Sequence, residues 1–144
     1  MATIGELVDR ANQAFNTHDR AASEALTADD CVLEAPGNMT VRGKAACVDF
    51  QASWWEAFPD ARITIQRTYY DGDVAIEEGT FTGTQNGVFK TPVGDVPPSG
   101  KSVTGKYINI IETRGDKAVR QRLLFDRLDL LEQLGLVPSA AATA

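Results

Sequence analysis

The sequence has few of the residues that hold metals and cofactors. It contains one histidine, His18, and two cysteines, Cys31 and Cys47, which stand well apart. Zinc and similar metals need a cluster of such ligands, so we expect no metal site. The chain also lacks a P-loop, a glycine-rich dinucleotide fingerprint, an H-E-x-x-H helix and a G-x-S-x-G elbow. We therefore expect no cofactor, and we interpret His18 as a surface or helix-terminal residue.

The charge and hydropathy of the chain argue against two kinds of partner. Twenty acidic residues against 14 basic ones leave a net charge of −6, whereas nucleic acids and anionic membranes attract basic patches. No apolar run approaches the roughly 20 residues of a membrane span, and the N-terminus shows no signal-peptide pattern. The cysteines form no redox motif and are expected to be reduced thiols. These features predict a cytoplasmic protein that binds neither nucleic acid nor membrane.

The size of the chain fits one folded unit. A chain of 144 residues with 43% hydrophobic side chains can bury a core of its own. We expect a single domain over residues 1–138. The alanine-rich end, residues 139–144, is expected to be a flexible tail.

A long hairpin followed by a short helix is predicted for residues 103–135. Apolar residues alternate on both sides of a turn at 114–116. On the second strand this alternation puts Val119 on the same, inward face as Phe125. The spacing then changes to that of a helix. Asp126 is placed to cap the start of this helix, and Gly135 to end it.

The upstream residues supply helices and further strands. The predicted elements are a helix from Ile4 to about Thr17 with Thr3 as its cap, a helix capped by Asp19, a short strand at 31–33, a helix at about 44–57, and strands at 62–69 and 74–84. Residues 85–100 are rich in proline and glycine and are predicted to be a long functional loop. The order predicts an α+β fold whose helices pack on one face of a curved antiparallel or mixed sheet, which leaves a conical hydrophobic cavity.

Four segments carry a resemblance to a known family. They are WEAFPDAR at 55–62, EGTFTGTQNG at 78–87, PPSGKSV at 97–103 and FDRLDLLEQLGL at 125–136. In these the chain resembles the SnoaL-like polyketide cyclases, members of the nuclear transport factor 2-like superfamily. The resemblance implies a cone-shaped α+β barrel in which residues 85–100 form a flap over the cavity mouth. This fold hosts cyclases, isomerases, dehydratases, epoxide hydrolases and non-enzymes.

The family's acid–base residues are not matched. The resemblance puts its catalytic histidine and aspartate at Asn109 and Leu123 of this chain, and leucine cannot transfer a proton. Asp126 does match a family position, but we interpret it as a helix cap. The chain therefore resembles the family in fold without its known catalytic pair.

Strand alternation identifies Glu77 as a candidate acid–base residue. Glu77 shares a face of its strand with Phe81. If that face points inward, desolvation raises the pKa of the carboxyl, as a general base requires. The alternative is an ion pair with Arg67, Arg120 or Arg122 at the sheet surface.

Two amides and five apolar residues complete the predicted site. Asn109 and Gln121 lie on the inward faces of the hairpin, where they either orient a ligand carbonyl or hydroxyl or satisfy a neighbouring polar group. The predicted substrate-binding residues are Phe15, Trp54, Tyr107, Leu123 and Phe125.

Three functions remain open at this point. The first is a cofactor-independent enzyme acting on a hydrophobic polyketide- or terpenoid-like molecule, and an ionisable group in the cavity would favour it. The second is a non-catalytic binding module, favoured by amides and aromatics alone. The third is an interaction domain whose cavity is filled by Trp54 and Trp55.

An apolar outer sheet face, which includes Ile76, Ile108 and Leu124, also predicts a homodimer.

Overall fold

The computed structural model describes residues 3–92 and 94–138. In chain order these form α1 (Ile4–Asn16), α2 (Arg20–Ala25), β1 (Thr27–Ala35), β2 (Met39–Arg42), α3 (Lys44–Ala57), β3 (Arg62–Asp71), β4 (Val74–Thr84), β5 (Phe89–Thr91), β6 (Gly94–Val96), β7 (Ser102–Arg114), β8 (Lys117–Phe125) and α4 (Arg127–Gln133). No helix among them is both long and apolar enough to cross a membrane. The predicted tail at 139–144 lies outside the described residues.

The main sheet has six strands in the order β2-β1-β8-β7-β4-β3. Its pairs are antiparallel except for β1 and β8, which run parallel. The predicted α+β fold with a curved, mixed sheet is confirmed. The prediction for 31–33 was too short and β2 was missed. Asp29 and Asp30 interrupt the alternation of β1, and its register against β8 shifts between Thr27 and Val32.

The predicted helix caps are present. The Thr3 hydroxyl accepts from the Glu6 N–H at 3.1 Å, and the Asp19 carboxylate accepts from the Ala22 N–H at 3.0 Å. Asp126 accepts from the Asp129 N–H at 2.9 Å. Such caps satisfy N–H groups that have no partner inside the helix. These local signals therefore start α1, α2 and α4 where the sequence predicts.

Two helices cover the concave face of the sheet. Val8 of α1 packs on Ala75 and Ile111 from the middle strands. At the end of α3, the fully buried Phe58 contacts Phe81 with ring centroids 5.2 Å apart. Residues of both helices and of the sheet line one cavity.

Residues 85–100 contain a small hairpin, so the prediction of a loop without strands was wrong. Strands β5 and β6 pair with each other around a turn. The buried Gln85 side chain fastens this segment: it donates to the carbonyls of Val96 and Pro97 at 3.2 and 3.0 Å, and accepts from the Ser99 hydroxyl at 2.6 Å. Phe89 is buried against the core.

Candidate functional site

A cavity of about 530 Å³ lies between α1, α3 and the concave face of the sheet. Its size is within the range of about 300–1,000 Å³ usual for small-molecule sites. All eight residues predicted for the site line it: Phe15, Trp54, Glu77, Tyr107, Asn109, Gln121, Leu123 and Phe125. Alternation along β4 and β7 therefore identified the inner face of each strand.

Glu77 lies inside this cavity, and its side chain is almost wholly shielded from solvent. Its exposed fraction is 1%. The side-chain amide of Asn12, from α1, donates to its Oε2 at 2.5 Å. Glu77 stands directly opposite Asn109 in the β4–β7 register. No ion pair between described residues includes Glu77, and Arg120, one of the alternative partners, pairs with other carboxylates.

The environment of Glu77 favours its protonated form. Burial raises the pKa of the Glu77 carboxyl from 4.5 to about 7, and the hydrogen bond from Asn12 opposes this effect. The nearby charge of Asp9 raises the pKa further. A carboxyl with such a pKa is present in both ionisation states near neutral pH, so it can accept a proton and return it.

Tyr107 lies near Glu77 on the neighbouring strand. Its ring covers Gly79 so closely that a Cβ at that position would overlap it. Burial, together with the charge of Glu77, raises the pKa of Tyr107 above its ordinary value of 10.0. The hydroxyl therefore remains protonated at neutral pH and is available as a hydrogen-bond donor.

Asn109 and Gln121 form a loosely joined amide pair. The Asn109 amide donates to Oε1 of Gln121 at 3.4 Å, while Oδ1 of Asn109 is buried without a partner. Whichever way the two amides are turned, one contact between them leaves a free donor and a free acceptor. The two amides therefore satisfy each other's hydrogen-bonding groups only in part. This arrangement fits both predicted roles: satisfying a neighbouring polar group and orienting a ligand carbonyl or hydroxyl.

The sequence prediction missed several polar residues of the cavity, and two of them bear on its chemistry. One is Asn12, and the other is Gln51 of α3, whose Oε1 is buried without a partner. Asn12 lies four positions after Val8 and three before Phe15, so its place on the buried stripe of α1 could have revealed it. Gln51 lies three positions before Trp54, so helical spacing likewise places it on the same face of α3 as a cavity residue.

The aromatic side chains that form one wall of the cavity, Phe15, Trp54, Phe81 and Phe125, do not fill it. The Trp54 ring lies 5.3 Å from Phe81 and 5.6 Å from Phe125, centroid to centroid. Trp55 does not line the cavity and instead stacks on His18 at 5.3 Å. Nε2 of the His18 ring also lies 3.0 Å from the Ala61 carbonyl oxygen. This contact connects the residues just after α1 to the segment before β3. An interaction domain with its cavity filled by two tryptophans is therefore not supported.

A second pocket of about 600 Å³ lies on the other side of this wall. Phe50, Trp54, Phe125 and Leu130 border both spaces. Residues 89–92 line the second pocket, whereas none of the described residues in 85–100 lines the first. The expectation of a flap over the cavity mouth was thus wrong, because the buried Phe89 holds this segment against α3.

The described residues offer neither a metal centre nor a reactive thiol. No three His, Cys, Asp or Glu side chains among them come together as metal ligands. Cys31 and Cys47 are free and buried. Burial raises the pKa of the Cys31 thiol to about 12, which suppresses the reactive thiolate. Asp126 also lines the cavity, but its carboxylate is already engaged as the cap of α4.

Solved structures share this fold. A candidate SnoaL-like polyketide cyclase from Jannaschia sp. CCS1 is 22% identical, with a TM-score of 0.83 over 94% of this chain and 93% of that one. IdmH, a candidate polyketide cyclase from Streptomyces antibioticus, is 22% identical, with a TM-score of 0.77 over 93% and 99%. An LEH-like epoxide hydrolase from M. tuberculosis is 19% identical, with a TM-score of 0.69 over 89% and 86%. At these identities the likeness shows the fold alone.

Sequence comparison identifies the family. No curated protein matched the chain. The family model described as SnoaL-like polyketide cyclase matches residues 6–134, which span every helix of the described structure except the first residues of α1 and contain all eight strands. The chain therefore belongs to the SnoaL-like polyketide cyclase family.

Proposed function

We propose that this protein is a cofactor-independent acid–base enzyme that acts on a hydrophobic, oxygenated small molecule of the polyketide or terpenoid type. The observation that carries the proposal is the Glu77 carboxyl, which is 1% exposed in an apolar cavity and has a pKa raised to about 7. A general base works best when its pKa lies near the working pH. Membership of the polyketide cyclase family supports the same class of substrate.

The proposed reaction begins at a carbon next to a carbonyl. The Glu77 carboxylate removes a proton from that carbon, and the electron pair of the C–H bond moves to the carbonyl oxygen, giving an enolate. The Tyr107 hydroxyl and an N–H of the Asn109–Gln121 pair supply hydrogen bonds to this oxygen. Protonated Glu77 then returns the proton to the substrate. Ring closure, isomerisation and dehydration all share this first step.

The polar atoms of the cavity suggest what the ligand carries. Oδ1 of Asn109 and Oε1 of Gln51 are buried acceptors without partners, and leaving such atoms unpaired costs free energy. A ligand hydroxyl would satisfy them, whereas a ligand carbonyl would accept from the amide pair. We therefore propose a hydroxyketone or a related substrate. The apolar residues Phe15, Trp54, Leu123 and Phe125 would contact its body.

The proposal is tested by exchange of acidic protons in a simple ketone. The α-protons of 2-tetralone are followed by NMR in D₂O with wild-type protein, Glu77→Gln and Glu78→Gln. Glu78 is the matched control, because the next residue of a strand points to the opposite face. The wild-type protein should accelerate exchange, Glu77→Gln should lose about 10²–10⁴-fold, and Glu78→Gln should match the wild type. Exchange that survives in Glu77→Gln would refute the role of Glu77.

A non-catalytic binding module is the second candidate. It is favoured by the leucine at 123, where the resemblance places the family's acid–base aspartate. Under this alternative, ketones of a thermal-shift panel would raise the melting temperature, yet none would exchange protons faster than in buffer.

We also propose that the protein is a cytoplasmic homodimer. The dimer is supported by apolar pairs on the outer face of the sheet. Ile76 lies opposite Ile110, and Ile108 lies opposite Leu124, which is 56% exposed. Isologous pairing is the commonest way to cover such a face. Analytical ultracentrifugation should give a dimer, and Leu124→Glu should weaken it. A monomeric wild type at micromolar concentration would contradict the proposal. The cytoplasmic location rests on the two free thiols.

A further inference from the structure

The volume and the lining of the second pocket are those of a separate small-molecule site. Its volume of about 600 Å³ lies between the β1–β2 turn, α3, β5 and α4. Apolar side chains form much of its wall: Met39, Val41, Phe89, Pro92 and Leu131. None of these five lines the first cavity.

The charged side chains that line this pocket are paired, with one exception. Arg20 pairs with Asp49 at 2.6 Å, and Lys90 with Glu56 at 4.0 Å. Arg127, which also lines the pocket and is half-buried, has no carboxylate within ion-pair distance and no hydrogen-bond acceptor for its side chain among the described residues. The pocket therefore contains one guanidinium that has no carboxylate partner among the described residues.

The Arg127 guanidinium lies beside the turn between β1 and β2. Nη1 of Arg127 lies over Gly37 of the β1–β2 turn, where a Cβ would come within 2.9 Å of it and within 3.3 Å of the Pro92 ring. Gly37 has a φ of +92°, which favours glycine. The guanidinium thus lies beside the turn and close to the β5–β6 segment, in space that a larger residue at 37 would take.

We propose that the second pocket binds an apolar carboxylate. The carboxylate contacts Arg127, whose planar guanidinium matches two carboxylate oxygens, and the apolar body packs on Phe89, Pro92 and Leu131. The site is separate from the catalytic site proposed above, and it does not depend on turnover. Since Trp54 borders both spaces, a ligand here also contacts the back of the wall that shapes the first cavity.

The experiment uses 2-naphthoate as the probe and neutral 2-naphthamide as its matched control. Each compound is titrated into methyl-labelled protein and followed by NMR. Naphthoate should shift the methyl signals of Met39 and Leu131, which line the second pocket alone, and leave those of Leu7 and Leu123, which line the first cavity alone. Shifts confined to Leu7 and Leu123, or no binding at millimolar naphthoate, would overturn the proposal.

Variants separate this site from the proposed catalytic site. Arg127→Met keeps an apolar side chain and removes the charge, so naphthoate affinity should fall at least about tenfold while naphthamide affinity changes less than about twofold. Glu77→Gln should leave naphthoate affinity unchanged, whatever its effect on proton exchange. In wild-type protein, added salt should weaken naphthoate binding but not naphthamide binding. Equal naphthoate affinity in Arg127→Met and wild type, or a salt-independent affinity, would each refute the assignment.

Discussion

The ionisation of Glu77 should leave a measurable trace in the stability of the protein. Glu77→Gln replaces the carboxyl with a neutral group of nearly the same shape, whose Oε1 can still accept from Asn12. The substitution therefore removes the charge while keeping the hydrogen bond and the packing. Any change in stability that depends on pH then reports the buried charge.

The magnitude follows from the shift in pKa. The pKa of Glu77 rises from 4.5 to about 7 on folding, and each unit corresponds to 1.36 kcal/mol, which gives about 3 kcal/mol in all. Because the folded pKa is the higher one, the folded state binds more protons than the unfolded chain between these values. The free energy of unfolding therefore falls as pH rises from about 4.5 to about 7, and this group has no further effect above that range.

Urea denaturation at a series of pH values measures this effect. The difference in free energy of unfolding between Glu77→Gln and wild type should grow from near zero at about pH 4 to about 3 kcal/mol in favour of the variant at about pH 8. Taking the difference cancels the other titrating groups, and Glu78→Gln controls for loss of a charge on the same strand. A difference that stays constant across this range would refute the raised pKa and, with it, the argument for a base.

Two further predictions concern the surroundings of Glu77. Asn12→Leu removes the hydrogen bond that lowers the pKa of Glu77, so the midpoint of its carboxyl ¹³C titration should move above 7; an unchanged midpoint would show that Asn12 does not tune this group. Gly79→Ala should cost about 1–3 kcal/mol in denaturation, because the new methyl meets the Tyr107 ring. Gly105→Ala is its control, since a Cβ there meets nothing within 4 Å, and equal stabilities for the two variants would contradict the close packing.

Much of the fold was readable from the sequence because its signals are local. The hairpin of β7 and β8 shows its alternation, its turn and the cap of the next helix within one continuous stretch. The hairpin inside 85–100 was not readable, because its strands are three residues each and are held by contacts to Gln85 and α3. Short strands fixed by tertiary contacts carry little pattern of their own.

The face of each strand was predicted well except where a strand bulges. On β8 the cavity is lined by Ala118 and not by Val119, because the register with β7 shifts between Glu112 and Thr113. A bulge adds one residue and reverses the alternation beyond it. No single residue in the sequence indicates where such a register shift occurs.

The chemistry of the site was predictable only in part. Alternation put Glu77 on the inner face, but its pKa depends on burial and on Asn12, which is 65 positions away in the chain. The same holds for Arg127, whose lack of a partner is a property of the folded surface. Residue type and strand parity suggest which groups face a cavity, whereas their ionisation depends on neighbours from other elements.

The pH dependence of ketone proton exchange tests the central claim most directly. With wild-type protein, the rate of 2-tetralone exchange above the buffer rate should rise with pH and level off through an apparent pKa near 7. In Glu77→Gln this protein-dependent rate should fall by about 10²–10⁴-fold. A protein-dependent rate that is equal in wild type and Glu77→Gln, or that shows no inflection near neutral pH, would contradict the account.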